Sequence, residues 1–501
     1  MYSDDAFISF RYAGRLAEGK GLTWNDGCRV EGFSNFLWVM VLAAARFVGL
    51  NVVLTAKILG ALSGAATLVV LYLLTFLATK KAFLFVNLLA PFFHSLGIYS
   101  HFWMTSGMET SFFALLALLA VYLFAREELN GRRVPFSALA FFAAAVTRPE
   151  GVMLFAGASA YLAVSRASKI RELRFGIFSK RDSIWAAAFC ILYAAFVLWR
   201  YSFFGQWLPN SYYAKLGGQG EFAAALSYIS VFFFAHSFLF LLVPFGFFLS
   251  GGGARIAATA FSCGVTYVFG MLFMGRDWMD RWRIWCHILP LIFAAIAVGA
   301  AGAFNPVLQG ARGPVLSWLI KIAFAAIIIL GFIGQFAPPF EEIGEILAGR
   351  MREPKFAQEG DFTQKAAKEI GLLIARNAPP GALVAVNHAG AIPYYAKVDA
   401  IDMTGLSDLH IAHMPGGMHG KYDADYVLSR RPHFIVLNTH HAPLPDAIIP
   451  DHWAGETAVY NHPDFKANYI RVPGYWVVNW HYRPDNYNVL YRRKDVKMQG
   501  P

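Results

Sequence analysis

Residues 1–35 are mixed and polar, from Phe36 to about residue 336 the chain is mostly apolar, and from residue 337 it is a different material. The apolar part breaks into ten runs that read as membrane spans: 36–50, 53–77, 107–125, 134–147, 151–165, 184–203, 228–249, 257–274, 285–303 and 317–336. Several are shorter than the usual ~20 residues, and either extend past these boundaries or are helices buried by their neighbours. Residues 82–99 are also apolar, but Pro91, His94 and Gly97 interrupt them, with His101 just beyond. They predict a short or re-entrant helix.

Pro338, Pro339 and the acids Glu341, Glu342 and Glu345 mark the exit into the tail, 337–501. Its pattern alternates. Phe362, Ala366, Ile370 and Ile374 fall on one helical stripe, and 408–413 predicts a short helix. Ala382–Val386, Phe434–Leu437, Tyr469–Val472, Trp476–Trp480 and Asn488–Arg492 predict strands, with Asn387-His388-Ala389-Gly390 as a turn. Mixed elements of this kind make a small α/β or α+β domain, long enough for its own core. The expected division is a membrane domain at 1–336 and a soluble domain at 337–501.

Composition supports the membrane reading. Of 501 residues 57% are hydrophobic and 15% charged, against roughly 25% charged in a soluble domain. The formal charge of +11 does not point to nucleic acid, because much of it sits in short loops, where Lys and Arg set topology. It also favours anionic lipid head groups or a phosphate-bearing substrate. Arg126, Arg132 and Arg133, and then Arg166, Lys169, Arg171, Arg174, Lys180 and Arg181, place 126–133 and 166–181 in the cytoplasm. Counting spans from there puts 1–35, 204–227, 275–284 and the tail outside together, provided that 82–99 does not cross. The four cysteines have no metal or disulfide spacing.

Candidate chemistry gathers at those outer mouths. Asp4 and Asp5 point different ways in any regular backbone, so at most one serves as a general base towards a hydroxyl. Arg11 suits a carboxylate or phosphate. Glu31 stands at a helix entrance with Arg29 nearby. Glu109, three residues after Ser106, is either a capping-box residue or a site acid. Arg148 and Glu150 flank Pro149 at a break between apolar runs, as a phosphate clamp or an internal pair. Asn210, Tyr213 and Lys215 lie in a loop that joins aromatics, which alone would be membrane-interface anchors, to amide, hydroxyl and ammonium groups, and so suits a sugar with a phosphate. Arg276, Asp277 and Arg281 fall in an Arg-rich outer loop, Arg276–Arg283, that departs from the positive-inside tendency and asks for an anion. The tail holds ten of the fourteen histidines, but none makes a zinc frame. No metal ligands are assigned, and no cofactor is certain; a divalent cation fits an acidic loop but is not indicated.

Asp4-Asp5-Ala6-Phe7-Ile8-Ser9-Phe10-Arg11-Tyr12-Ala13, Val30-Glu31-Gly32-Phe33-Ser34-Asn35-Phe36-Leu37-Trp38, Ser106-Gly107-Met108-Glu109-Thr110 and Thr147-Arg148-Pro149-Glu150-Gly151 resemble the mycobacterial terminal β-(1→2) arabinofuranosyltransferase family. So does Asp402-Met403-Thr404-Gly405-Leu406-Ser407-Asp408 with the four residues after it. The resemblance implies a polytopic α-helical membrane protein of the GT-C type with a C-terminal extracytoplasmic α/β domain, in a bacterial plasma membrane. It implies a polyprenyl-phosphate sugar donor, decaprenyl-phospho-arabinofuranose, a periplasmic glycan or glycolipid acceptor, and Asp4 or Asp5 as catalytic base. Two departures stand out. His413 occupies a position where the family pattern has Arg, and the family has a transmembrane helix before the acidic pair, so about twenty apolar residues are expected upstream of Met1 in frame.

The expected chemistry is inverting glycosyl transfer, with Arg148, Lys215, Arg276 and Arg281 as phosphate clamps. No nucleotide-binding glycine motif is present, in keeping with a lipid-phosphate donor. Two rivals stand beside this. A flippase for a lipid-linked sugar needs a charged path through the spans, which carry few charges. A non-catalytic envelope-assembly protein needs a binding surface but no base.

Overall fold

The computed structural model describes residues 3–79, 84–131, 134–167, 179–216, 221–235, 243–249, 251–274, 282–303, 355–417, 419–439, 453–474, 476–477 and 487–498, with a few isolated positions between. The expected span 317–336 and the acidic exit after it fall almost wholly outside these residues.

The polar opening is not a loop but a helix, α1 (Asp4–Ala17). Two acids in its first turn and Arg15 in its last complement the helix dipole. The membrane part follows as α2 (Phe36–Phe47), α3 (Val52–Thr79), α4 (Leu84–Leu96), α5 (Ile98–Thr105), α6 (Thr110–Asn130), α7 (Phe136–Thr147), α8 (Gly151–Ala167), α9 (Lys180–Phe204), α10 (Asn210–Lys215) and α11 (Glu221–Ala235), then helices at Gly252–Met274 and Leu289–Ala303. Among the described residues α3, α9 and Gly252–Met274 are long and apolar enough to cross a membrane; α5 and α6, bent by 113° at their break, make a fourth if taken as one span.

Several predicted spans are therefore shorter helices. At 1.5 Å per residue, the 12 residues of α2 or α7 reach only about 18 Å of the ~30 Å hydrocarbon core. The expected run 285–303 divides into Arg283–Cys286 and Leu289–Ala303. Within 82–99 the short helix is present as α4, with Pro91 inside it.

The tail forms a six-stranded sheet of β1 (Leu383–Val386), β2 (Asp399–Asp402), β3 (Phe434–Thr439), β4 (Tyr469–Arg471), β5 (Trp476–Val477) and β6 (Tyr487–Arg493), ordered β2-β1-β3-β6-β4, with β5 also on β6. β1 runs parallel to β2, with Leu383 opposite Asp399, and parallel to β3; β6 is antiparallel to β3. Alternation sorts the core. Val384 and Val386 face the long helix Lys355–Asn377 through Ala367, Ile370 and Ile374. Ala385, Ile401, Ile435 and Leu437 fill the opposite face. Strand β2 carries no strong apolar run and was not expected; its pairing with β1 decides it.

Parallel strands put their carboxyl-end loops on one edge, where open α/β sheets bind partners. Here the turn after β1, 387–390, and the loop after β2, 403–408, both face the first helix and loops of the membrane part.

Candidate active site

Helix α1 is the hinge of the site because its two faces do different things. Positions 4, 7 and 11 share one face. Asp4 accepts from the backbone N–H of Gly390 (3.0 Å) and Ala391 (2.8 Å), which start the short helix Ala391–Ala396. Phe7 packs edge-on to Tyr394, with centroids 5.4 Å apart. Arg11 donates to the carbonyls of Trp24 (3.0 Å), Pro393 (2.7 Å) and Val398 (2.8 Å). This face docks the tail. A Cβ on Gly390 would stand 1.9 Å from the carbonyl oxygen of Asp4, so only glycine permits the approach. Burial pushes the Asp4 carboxyl above its ordinary pKa, against the two backbone donors, which lower it.

Positions 5, 9 and 12 look towards the loop 30–35. Tyr12 donates to the Val30 carbonyl (2.5 Å), and Ser9 exchanges hydrogen bonds with the Asn35 amide (3.0 and 3.1 Å). From Asn35 a chain of polar contacts runs into the membrane part. The Asn35 amide donates to Glu109 (2.7 Å), Arg148 bonds Glu109, and Arg148 reaches Glu150 at 2.7 Å. Of the two readings open for Glu109, the capping box does not form. Glu109 is itself the N-cap of α6 with no side-chain cap bond, while Ser106 donates to the Trp103 carbonyl (2.9 Å). Arg148 likewise resolves as an internal pair, held by two carboxylates.

Asp5, Glu109, Arg148, Lys215 and Arg283 line one cleft, walled by Gly32 and Ser34 and closed from the tail by Leu406. The cleft thus brings a carboxylate of the first helix together with three cations, of which Arg148 is ion-paired to Glu109 and Glu150. Arg283 was the residue that the sequence reading did not single out. It ends the Arg-rich outer loop and begins an apolar run, and a buried Arg in that position is the available signal.

The other expected residues hold the cleft from outside. Asn210 donates to the carbonyls of Gly405 (2.8 Å), Leu406 (3.1 Å) and Asp408 (3.2 Å), and its own N–H donates to the Glu31 carbonyl. Glu31 is buried 3.5 Å from Arg200, and burial pushes its carboxyl up to about 8 against that guanidinium. Tyr213 stacks on His413, with centroids 5.0 Å apart, and accepts from Lys421 through its carbonyl (2.7 Å). The position where the resemblance expects Arg is therefore a stacking contact between tail and membrane part. Arg276, Asp277 and Arg281 lie outside the described residues.

The motif from Asp402 to Asp408 is a folded plug. Asp402 accepts from Thr404 N–H (2.9 Å), Thr404 hydroxyl (2.6 Å) and Ser407 N–H (2.7 Å). Gly405 at φ +80° makes the turn, and Asp408 caps the helix Leu409–Ala412. The plug packs so closely that a Cβ on Gly32 would meet the Ser407 hydroxyl at 2.3 Å. Among the described residues no group of three or more His, Cys, Asp or Glu could hold a metal ion; His440 and His441 are outside them.

A family model described as a domain of unknown function (DUF8728) matches residues 355–491. No curated protein matches the chain in sequence. Similar solved structures cover nearly all of it. ArnT from Cupriavidus metallidurans is 12% identical in the apo state, with a TM-score of 0.53 over 98% of this chain and 93% of that one. The same protein bound to undecaprenyl phosphate gives 13% identity and 0.53, covering 100% and 95%. The Archaeoglobus fulgidus oligosaccharyltransferase, tethered to an acceptor peptide, gives 11% and 0.50 over 94% and 75%. The chain has the GT-C fold: a polytopic helical membrane part and a separate C-terminal domain with a sheet.

Proposed function

We propose that the protein is an inverting glycosyltransferase that moves a sugar from a polyprenyl-phosphate donor to a cell-envelope glycan or glycolipid. The observation that carries the reading is one cleft lined by Asp5, Lys215 and Arg283, at the junction of a GT-C membrane part and its C-terminal domain. The bound undecaprenyl phosphate of ArnT supports the donor class. The resemblance in sequence makes arabinofuranose the first donor sugar to try.

Asp5 takes the proton of the acceptor hydroxyl. The hydroxyl oxygen attacks the anomeric carbon from the face opposite the phosphate, the carbon–oxygen bond to phosphate breaks, and polyprenyl phosphate leaves. Lys215 and Arg283 offset the charge that develops on the leaving group. Glu109, Arg148 and Glu150 hold Asn35 and the cleft wall in place. The cleft, the tail and residues 1–35 face away from the cytoplasm.

The test is transfer by the full chain in nanodiscs with a panel of prenyl-phosphate sugars. Asp5→Asn keeps size and hydrogen bonding but removes the base, so turnover falls by about 10²-fold or more while donor still binds. Transfer at the wild-type rate by Asp5→Asn refutes the assignment.

A further inference from the structure

The break between α5 and α6 has two sides. On one, Met108 and Glu109 line the cleft. On the other, Thr110, the first residue of α6, lines a second cavity of about 10 Å³. Nine of the ten residues that line this cavity are buried, so it is internal to the membrane part. A volume of about 10–15 Å³ is room for one water molecule.

Three side chains on its wall carry unpaired polar atoms. His94 of α4, Ser100 of α5 and Thr110 of α6 are each at most 5% exposed. The His94 Nδ1, the Ser100 Oγ and the Thr110 Oγ1 have no hydrogen-bond partner among the described residues. Each is unfavourable alone, and one shared partner in the cavity satisfies all three. We infer that the cavity binds a structural water that joins α4, α5 and α6 and, through the start of α6, positions Glu109.

The chemistry of the wall selects the ligand. Buried waters make about three hydrogen bonds, the number of unpaired atoms present. The two hydroxyls donate or accept, so either tautomer of His94 completes the set. No carboxylate lines the cavity, so a cation there would be buried without a counter-charge. Nor does the cavity close on itself, because α5 is seated against α3. A Cβ on Gly60 would strike the Met104 carbonyl oxygen, and one on Gly64 the Met104 sulfur. With α5 held there, Ser100 makes no direct bond to His94 or Thr110.

The water matters to the cleft through the residue before Thr110. Glu109 accepts from the Asn35 amide, and Asn35 bonds Ser9 on α1, the helix that carries Asp5. A shift at Thr110 therefore reaches the base along the Glu109–Asn35–Ser9 chain. This consequence, unlike the water itself, rests on the glycosyl-transfer reading.

The experiment is X-ray radiolysis of the full chain in nanodiscs, in which a bound water yields a hydroxyl radical that oxidises the side chains beside it. Trp103 and Cys286 line the cavity and are 3% exposed; Trp185 and Cys263, as deeply buried, lie outside it and are the controls. Trp103 and Cys286 are expected to oxidise about tenfold faster than the controls, and Ser100→Ala with Thr110→Val to bring them down to the control rate. In transfer assays the same double variant lowers kcat about tenfold with donor affinity kept, since alignment of the base and not phosphate binding is disturbed. Thr110→Ser, which keeps the hydroxyl, recovers both the fast oxidation and the rate. The water is overturned if Trp103 and Cys286 oxidise no faster than the controls, or if the double variant leaves their oxidation unchanged. Its positioning role is overturned if the double variant loses the fast oxidation at full kcat. Absence of transfer by the wild-type chain defeats the glycosyl-transfer reading, and the oxidation rates still decide the water.

Discussion

Asp4 and Asp5 are adjacent in sequence, and the helix assigns them opposite consequences. Asp4→Ala removes the acceptor for two backbone N–H groups, Gly390 and Ala391, bonded at 3.0 and 2.8 Å. Losing a cap costs about 0.5–2 kcal/mol, and each buried donor left unpaired costs about 1–3 kcal/mol. Against this, the wild type buries a carboxylate, as the raised pKa of Asp4 records. The opposing contributions leave a net loss of about 2–3 kcal/mol in docking of the tail, or about 30- to 150-fold in the docked-to-undocked ratio. Asp4→Asn keeps one acceptor oxygen and loses about half as much free energy. Hydrogen exchange followed by mass spectrometry in nanodiscs reads this directly. Peptides covering 388–396 and 4–17 exchange faster by that factor in Asp4→Ala, and stay at the wild-type rate in Asp5→Asn. Unchanged exchange in Asp4→Ala, or accelerated exchange in Asp5→Asn, would refute the assignment of the two faces of α1.

Three further outcomes follow from the same geometry. Lys215→Ala and Arg283→Ala each weaken donor binding by about ten- to a hundredfold, the usual effect of losing a charged hydrogen bond; equal donor affinity in both variants and wild type excludes them as the phosphate clamp. Burial pushes the Asp402 carboxyl up to about 6, so the folded chain binds this proton more tightly than the unfolded chain does. The resulting stability is full near pH 4 and below, and about 3 kcal/mol is lost as pH rises to about 6; Asp402→Asn flattens that slope in thermal melts from pH 4 to pH 7, and an unchanged slope counts against it. Reporter fusions at residues 175 and 420 report opposite sides of the membrane, and the same side for both overturns the topology.

The hydrophobic pattern by itself determined that the chain is a multi-pass membrane protein with a different material in its tail, because apolar runs as long as Val52–Thr79, Lys180–Phe204 and Gly252–Met274 have no other stable solvent. It also located the tail helix around Ile370 and the strands at Val384, Ile435 and Val489, whose periodicity is local. The short motifs come together in space: Asp5, Glu109, Arg148 and Lys215 line one cleft. What each member does was not legible. Whether Asp4 or Asp5 faces the cleft depends on a rotation of about 100° per residue about an axis that only packing against Tyr394 and Gly390 fixes. Arg11 and Asn210 looked like ligands for an anion and are instead spent on carbonyls of the tail, residues nearly 200 positions away or more. Strand β2 and the plug after it acquire their form from a parallel neighbour and from Gly32, not from their own propensity. Sequence fixes which residues can ionise and which must leave water; long-range contacts alone decide which charges dock the tail and which line the cleft.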